Sequence, residues 1–130
     1  MYIRVAQVLC VEWRSVIVRL SWIAFALMLA ATIPVRAAEL LMFEEKHCPW
    51  CEQWNEDIGV VYHKTDEGKR APLRRVDIFD PLPDDIELAS RPRYTPTFVL
   101  VDQGHEVGRI EGYPGEDFFW GLLGQLLQKL

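Results

Sequence analysis

The chain has 130 residues, half of them hydrophobic, with three cysteines and a formal net charge of −5, enough for one domain around one core. The charge is unevenly divided: residues 1–37 hold four basic residues and one acid, whereas residues 38–130 hold ten Lys plus Arg against eighteen Asp plus Glu, a balance of −8. So acidic a domain argues against nucleic acid as a partner and against an anionic membrane surface.

The first segment reads as an export signal. A basic lead (Arg4, Arg14, Arg19) precedes the apolar run Leu20 to Ile33, and small residues follow. Cleavage after Ala37, with Val35 and Ala37 at the small-residue positions, leaves a mature chain from Ala38 to Leu130 and predicts a secreted or periplasmic protein. The run is about fourteen residues, short of the ~20 that span a bilayer, so cleavage is favoured over an uncleaved anchor. The lead is long and contains Glu12, which allows a later start of translation. Cys10 falls in this discarded part and is given no role.

In the mature chain Leu40-Leu41-Met42-Phe43 is an apolar run too short for a helix, hence a buried strand. A polar loop, Glu44 to His47, leads to Cys48-Pro49-Trp50-Cys51. Proline is tolerated on the first turn of a helix, where the amide hydrogen it lacks would have no partner, and from Pro49 to about Tyr62 the apolar residues Trp50, Trp54, Ile58, Val61 and Tyr62 recur at helical spacing. Trp54, Ile58 and Val61 are expected in the core. A cysteine at a helix N-terminus faces free N–H groups and a partial positive charge, both of which favour thiolate over thiol. The second cysteine, three positions on, is within disulfide reach, so attack, mixed disulfide and resolution can occur at one place. A purely structural bridge is the alternative, but closing so short a loop constrains the unfolded chain little.

Thr65 to Arg70 reads as a solvated connection and Leu73 to Phe79 as a second strand, which makes strand, helix, strand a right-handed unit with parallel strands. Asp80-Pro81-Leu82-Pro83 breaks the chain, and Asp84 to Ser90 allows at most a short helix. Thr97 to Val101 is the clearest strand, and Glu106 to Glu111 pairs with it across the turn Asp102 to His105. After Gly112-Tyr113-Pro114-Gly115, the acids Glu116 and Asp117 open a last helix with the stripe Phe118, Phe119, Leu122, Leu123, Leu126 and Leu127.

This order, with the two-cysteine motif at a helix start, Thr95-Pro96 opening a strand and Gly-Tyr after the hairpin, resembles the thioredoxin-like superfamily over the whole of residues 38–130. The resemblance implies an α/β fold, a four-stranded mixed sheet (βαβ then ββα) flanked by helices. It implies Cys48 as exposed nucleophile, Cys51 as buried resolver, and a cis peptide before Pro96, packed beside the cysteines; proline is the residue for which cis costs least. His47, when protonated, would lower the Cys48 pKa further, although a solvent-facing His is an equal alternative. Pro49 opens the helix, Trp50 offers a flat apolar contact to a protein substrate, and Thr95 offers backbone hydrogen bonds to an extended substrate segment. One position departs from the family: many members carry a buried acid six residues before the nucleophile, where this chain has Met42, with Glu44 or Glu45 from the loop, or solvent, as substitutes.

Cys-Pro-Trp-Cys looks nearer to glutaredoxins and periplasmic Dsb-type proteins than to thioredoxin itself, and a short secreted thioredoxin with this hairpin looks like those associated with bacterial sulfur-oxidation systems. These are thought to keep a carrier-protein cysteine reduced and to draw electrons through a membrane transporter. The expected function is therefore a thiol–disulfide oxidoreductase, with no cofactor, acting as a monomer on a protein bearing a reactive cysteine or disulfide. Thr before Pro96, and the lack of a large inserted domain, favour a reductase over an oxidase or isomerase.

Three rivals remain. Cys48, Cys51, His63 and His105 do not have zinc-finger spacing, and a c-type haem needs His where Glu52 stands, so no metal is expected. A glutathione-dependent glutaredoxin would place Gly112, Glu116 and Asp117 near glutathione, but lacks that family's Gly-Gly signature. A non-catalytic peptide-binding module around Trp50 and Pro96 gives no purpose to two cysteines at a helix start.

Overall fold

The computed structural model describes residues 37–130; residues 1–36, with the apolar run and Cys10, lie outside the described residues. Four strands form one mixed sheet: β1 (Glu39–Glu44), β2 (Leu73–Asp77), β3 (Thr97–Asp102) and β4 (His105–Glu111), in the order β2-β1-β3-β4. β1 runs parallel to β2 and antiparallel to β3, and β3 runs antiparallel to β4 with a register shift at Leu100/Val101. The parallel pair is joined through helices α1 (Pro49–Trp54), α2 (Val60–Tyr62) and α3 (Asp66–Arg70), and α4 (Glu116–Leu127) closes the chain.

The central strands read as unbroken apolar runs because both of their faces are covered. Successive side chains alternate between faces. Leu40 and Met42 of β1, with Phe98 and Leu100 of β3, meet Trp54, Ile58, Tyr62, Phe119, Leu123 and the two cysteines on one side. Leu41, Phe43, Val99 and Val101 meet Val76 and Ile86 on the other. The first cluster is dominated by rings: Trp54 lies 5.1 Å from Phe98 and 5.7 Å from Phe119, centroid to centroid. This aromatic layer anchors the helix that carries the cysteines to the centre of the sheet.

Several local expectations are corrected. The helix expected to run from Pro49 to Tyr62 contains a π-helical turn, Asn55–Gly59. That turn takes more residues per revolution than an α-helix, so Tyr62 rather than Val61 comes round to the core; Val61 is exposed and Tyr62 is buried. The expected connection at Thr65 to Arg70 is instead α3, capped by the Thr65 side chain, which accepts from the Gly68 N–H at 3.0 Å. Strand β2 ends at Asp77, and Phe79 lies exposed in the turn beyond it. Residues 84–90, where at most a short helix was allowed, form none, in keeping with that reading; Glu87 makes an isolated bridge to His105. In α4 only Phe119, Leu123, Leu126 and Leu127 of the expected stripe are buried, while Phe118 and Leu122 are exposed. Trp120, absent from that stripe, stacks on Tyr62 at 6.1 Å and 9° between planes.

Candidate active site

Cys48 is the N-cap of α1, in extended conformation (φ −86°, ψ 105°), and Pro49 follows on the first turn. Its carbonyl accepts the N–H groups of Cys51 and Glu52, each at 3.1 Å. Its Sγ accepts the same Cys51 N–H at 3.1 Å. The sulfur thus takes the place that a Ser or Asp oxygen holds in an ordinary helix cap. His47, just before it, is exposed and adopts the left-handed conformation (φ 62°) that turns the chain from the β1 loop into the helix.

Cys48 and Cys51 form a disulfide, with Cα atoms 5.3 Å apart. The expectation of an exposed Cys48 is corrected for this oxidised form. Cys48 is 5% exposed and Cys51 3%: the Cys48 sulfur is bonded to Cys51 and accepts its N–H, and both residues belong to the cluster that holds Met42 and Trp54. Trp50, between them, is 62% exposed. Its indole lies on the surface, and it leaves the packing to Trp54.

The Thr95–Pro96 peptide is cis, and Pro96 is buried at the start of β3. Three hydrogen bonds fasten this turn. The Thr97 hydroxyl donates to the Tyr94 carbonyl at 2.7 Å, the Gly112 N–H donates to the Pro96 carbonyl at 2.7 Å, and the Thr95 hydroxyl donates to Glu45 Oε1. The last joins the turn to the loop that leads into Cys48.

Met42, at the position where many family members carry an acid, is fully buried and sits in register with Arg75 of β2. The Arg75 guanidinium reaches the Met42 sulfur at 3.7 Å, Glu44 at 2.7 Å and Asn55 at 2.6 Å, and lies 5.9 Å from the centre of the Trp54 ring. Glu44 is therefore engaged by Arg75, and Glu45 by Thr95. A cleft of about 330 Å³ lies beside them, lined by Glu44, Glu45, Lys46, Arg75, Val76 and Asp77.

Reading the residues alone missed the contact between Tyr113 and Asp57. The phenol donates to Asp57 Oδ2 at 2.8 Å, tying the turn after β4 to the π-helical turn behind the cysteines. Burial first, then this hydrogen bond, pushes the Tyr113 pKa well above the phenol range. Of the histidines considered as metal ligands, His63 is exposed and His105 contacts Glu87 at 3.2 Å. Among the described residues no group of three or more His, Cys, Asp or Glu is placed to hold a metal.

No protein-family model and no curated protein matches the chain. Two solved structures do. The reduced periplasmic thioredoxin SoxS of Paracoccus pantotrophus matches with a TM-score of 0.70 and 49% identity, over 71% of this chain and 97% of that one. A thioredoxin of Malassezia sympodialis, Mala s 13, matches at 19% identity and a TM-score of 0.47, over 68% of this chain and 73% of its own. Identity with SoxS across nearly the whole of that protein, together with a disulfide between cysteines three positions apart at the start of a helix, shows that this chain belongs to the thioredoxin-like superfamily and is a thiol–disulfide redox protein.

Proposed function

We propose that the chain is a periplasmic reductase of protein disulfides, with Cys48 as nucleophile and Cys51 as resolver. The observation that carries this reading is the Cys48 sulfur at a helix N-cap, accepting a backbone N–H and bridged to Cys51. In the reduced protein the same N–H and the helix dipole stabilise a Cys48 thiolate. That thiolate attacks one sulfur of the partner disulfide, forming a mixed disulfide and releasing the other sulfur as a thiolate that takes up a proton. Cys51, deprotonated, then attacks the Cys48 sulfur. The Cys48–Cys51 bridge closes, the second partner sulfur leaves as a thiol, and two electrons have passed to the partner. An external dithiol, supplied in this reading by a membrane electron-transfer protein, reopens the bridge.

In the same reading residues 1–37 are an export signal removed after Ala37, Trp50 gives the partner an apolar platform, and Thr95 pairs its backbone with an extended segment of the partner. Support for the compartment comes from the SoxS relative, itself a periplasmic thioredoxin. The partner in this reading, taken from the family resemblance, is a carrier protein with a reactive cysteine, as in sulfur-oxidation systems. Direction is tested by equilibrating the Cys48–Cys51 pair with glutathione. A reductase gives a potential nearer the ~−270 mV of thioredoxin than the ~−120 mV of a strong oxidant, and a value at the oxidising end overturns this reading. Insulin reduction separates an enzyme from a binding module: the wild-type protein is expected to catalyse it and the Cys48→Ala variant is not.

A further inference from the structure

Glu45 lies three residues before Cys48, is half-buried and lines the charged cleft. Its Oε1 accepts the Thr95 hydroxyl across fifty residues of chain, at 2.5 Å. The rest of the turn is held from the other side, through the Tyr94 and Pro96 carbonyls. Those two bonds use the peptide groups flanking Thr95, so the hydroxyl–carboxylate bond is what fastens Thr95 itself to the cysteine loop. A hydrogen bond to a charged acceptor is among the stronger single contacts a side chain makes.

We propose that Glu45 is a positioning residue for substrate: by gripping the Thr95 hydroxyl it sets the distance and orientation between the backbone of Thr95 and the Cys48 sulfur. An extended protein segment then binds along a Thr95 backbone already placed beside Cys48, so Glu45 acts on how tightly such a substrate is held. A small disulfide that needs no contact with Thr95 does not feel the loss of Glu45. This proposal rests on the reductase reading above and extends it to a residue that touches neither sulfur.

The test compares insulin, as protein disulfide with dithiothreitol as electron donor, with 5,5′-dithiobis(2-nitrobenzoate), as small disulfide reduced in a single turnover by the pre-reduced protein freed of dithiothreitol. Glu45→Ala is expected to raise KM for insulin about five- to tenfold, the size of one lost hydrogen bond, and to leave kcat for insulin and the rate with the small disulfide unchanged. Glu45→Gln keeps an acceptor oxygen for the hydroxyl and is expected to restore KM to within about twofold of wild type. Thr95→Val is expected to share the KM defect, and the double variant Glu45→Ala/Thr95→Val to be no worse than either single one, as for two halves of one contact. A wild-type KM in Glu45→Ala, a defect that Glu45→Gln does not rescue, additive effects of the two substitutions, or an equal loss with both disulfides each overturns the proposal. If the wild-type protein itself does not reduce insulin, the reductase reading falls and the role of Glu45 falls with it; if wild type is active and Glu45→Ala is indistinguishable from it, only the role of Glu45 is lost.

Discussion

At the scale of single residues the chemistry reduces to where a sulfur sits and what it touches. Cys48 caps a helix, and Cys51 supplies both the N–H it accepts and the sulfur it bonds. If Cys51 resolves the mixed disulfide, Cys51→Ala stalls the cycle at that stage and leaves a covalent adduct on Cys48, seen as a shifted, dithiothreitol-sensitive band in cells; Cys48→Ala gives none. A second residue-scale prediction concerns Glu106. It is nearly buried, accepts from Arg109 Nε at 2.6 Å and Nη2 at 2.7 Å, and takes the Ala89 N–H at 2.9 Å. The Arg109 hydrogen bonds lead the causes that lower its pKa. A depressed carboxylate pKa contributes stability that is complete above the unfolded value of ~4.3 and is lost as the pH falls through the folded value. Glu106→Gln is therefore expected to cost about 2 kcal/mol at neutral pH, with the gap to wild type closing in acid, as read by urea denaturation at several pH values. A gap that stays constant into acid would sink this account of Glu106.

At the scale of elements, what could be read in the chain was what obeys a period. β1 and β3 were legible as apolar runs, and the start of α1 from its Cys-Pro pair. The π-helical turn was not, because apolar spacing alone cannot say whether Val61 or Tyr62 reaches the core after Ile58. α3 was hidden for a different reason. Its signal is in its caps, Thr65 before Asp66 and Glu67, with Lys69 and Arg70 at the end, and not in any apolar stripe. The glycine in its middle is required: a Cβ at Gly68 would meet the Tyr62 carbonyl oxygen at 1.9 Å. Gly68→Ala is thus expected to destabilise the protein by ~1–3 kcal/mol through forced backbone movement, whereas Gly121→Ala on α4, with nothing within 4 Å, is expected to be neutral or stabilising. Thermal denaturation of the two variants checks the contrast, and equal behaviour contradicts it.

At the scale of the whole molecule, the mixed sheet with helices is legible from the order of elements and from the motifs that carry the family resemblance. The site was legible only in part. The cysteines, Pro49, Trp50, Thr95 and Pro96 announce themselves by residue type. The contacts of Glu45, Arg75, Asp57 and Tyr113 join positions 20 to 56 residues apart, and no local pattern reports such pairings. The sheet also explains why the cysteines can be both held and reactive: Trp54, wedged among Phe98, Phe119 and Tyr62, fixes the helix, while Trp50 on its outer turn stays exposed. If residues 1–37 are an export signal, a protein beginning at Ala38 folds and reduces insulin unaided, and the exported protein begins at that residue on mass spectrometry; an exported protein that retains Met1 contradicts the signal.

The most direct test of the whole account is the ionisation of Cys48 in a reduced Cys51→Ala protein that begins at Ala38, followed by ultraviolet thiolate absorbance; without Cys10, Cys48 is its sole thiol. Stabilisation by the helix start predicts a midpoint well below the ~8.5 of a free cysteine. A midpoint at or above that value would show that the cap does not activate the sulfur, and would contradict its assignment as the nucleophile.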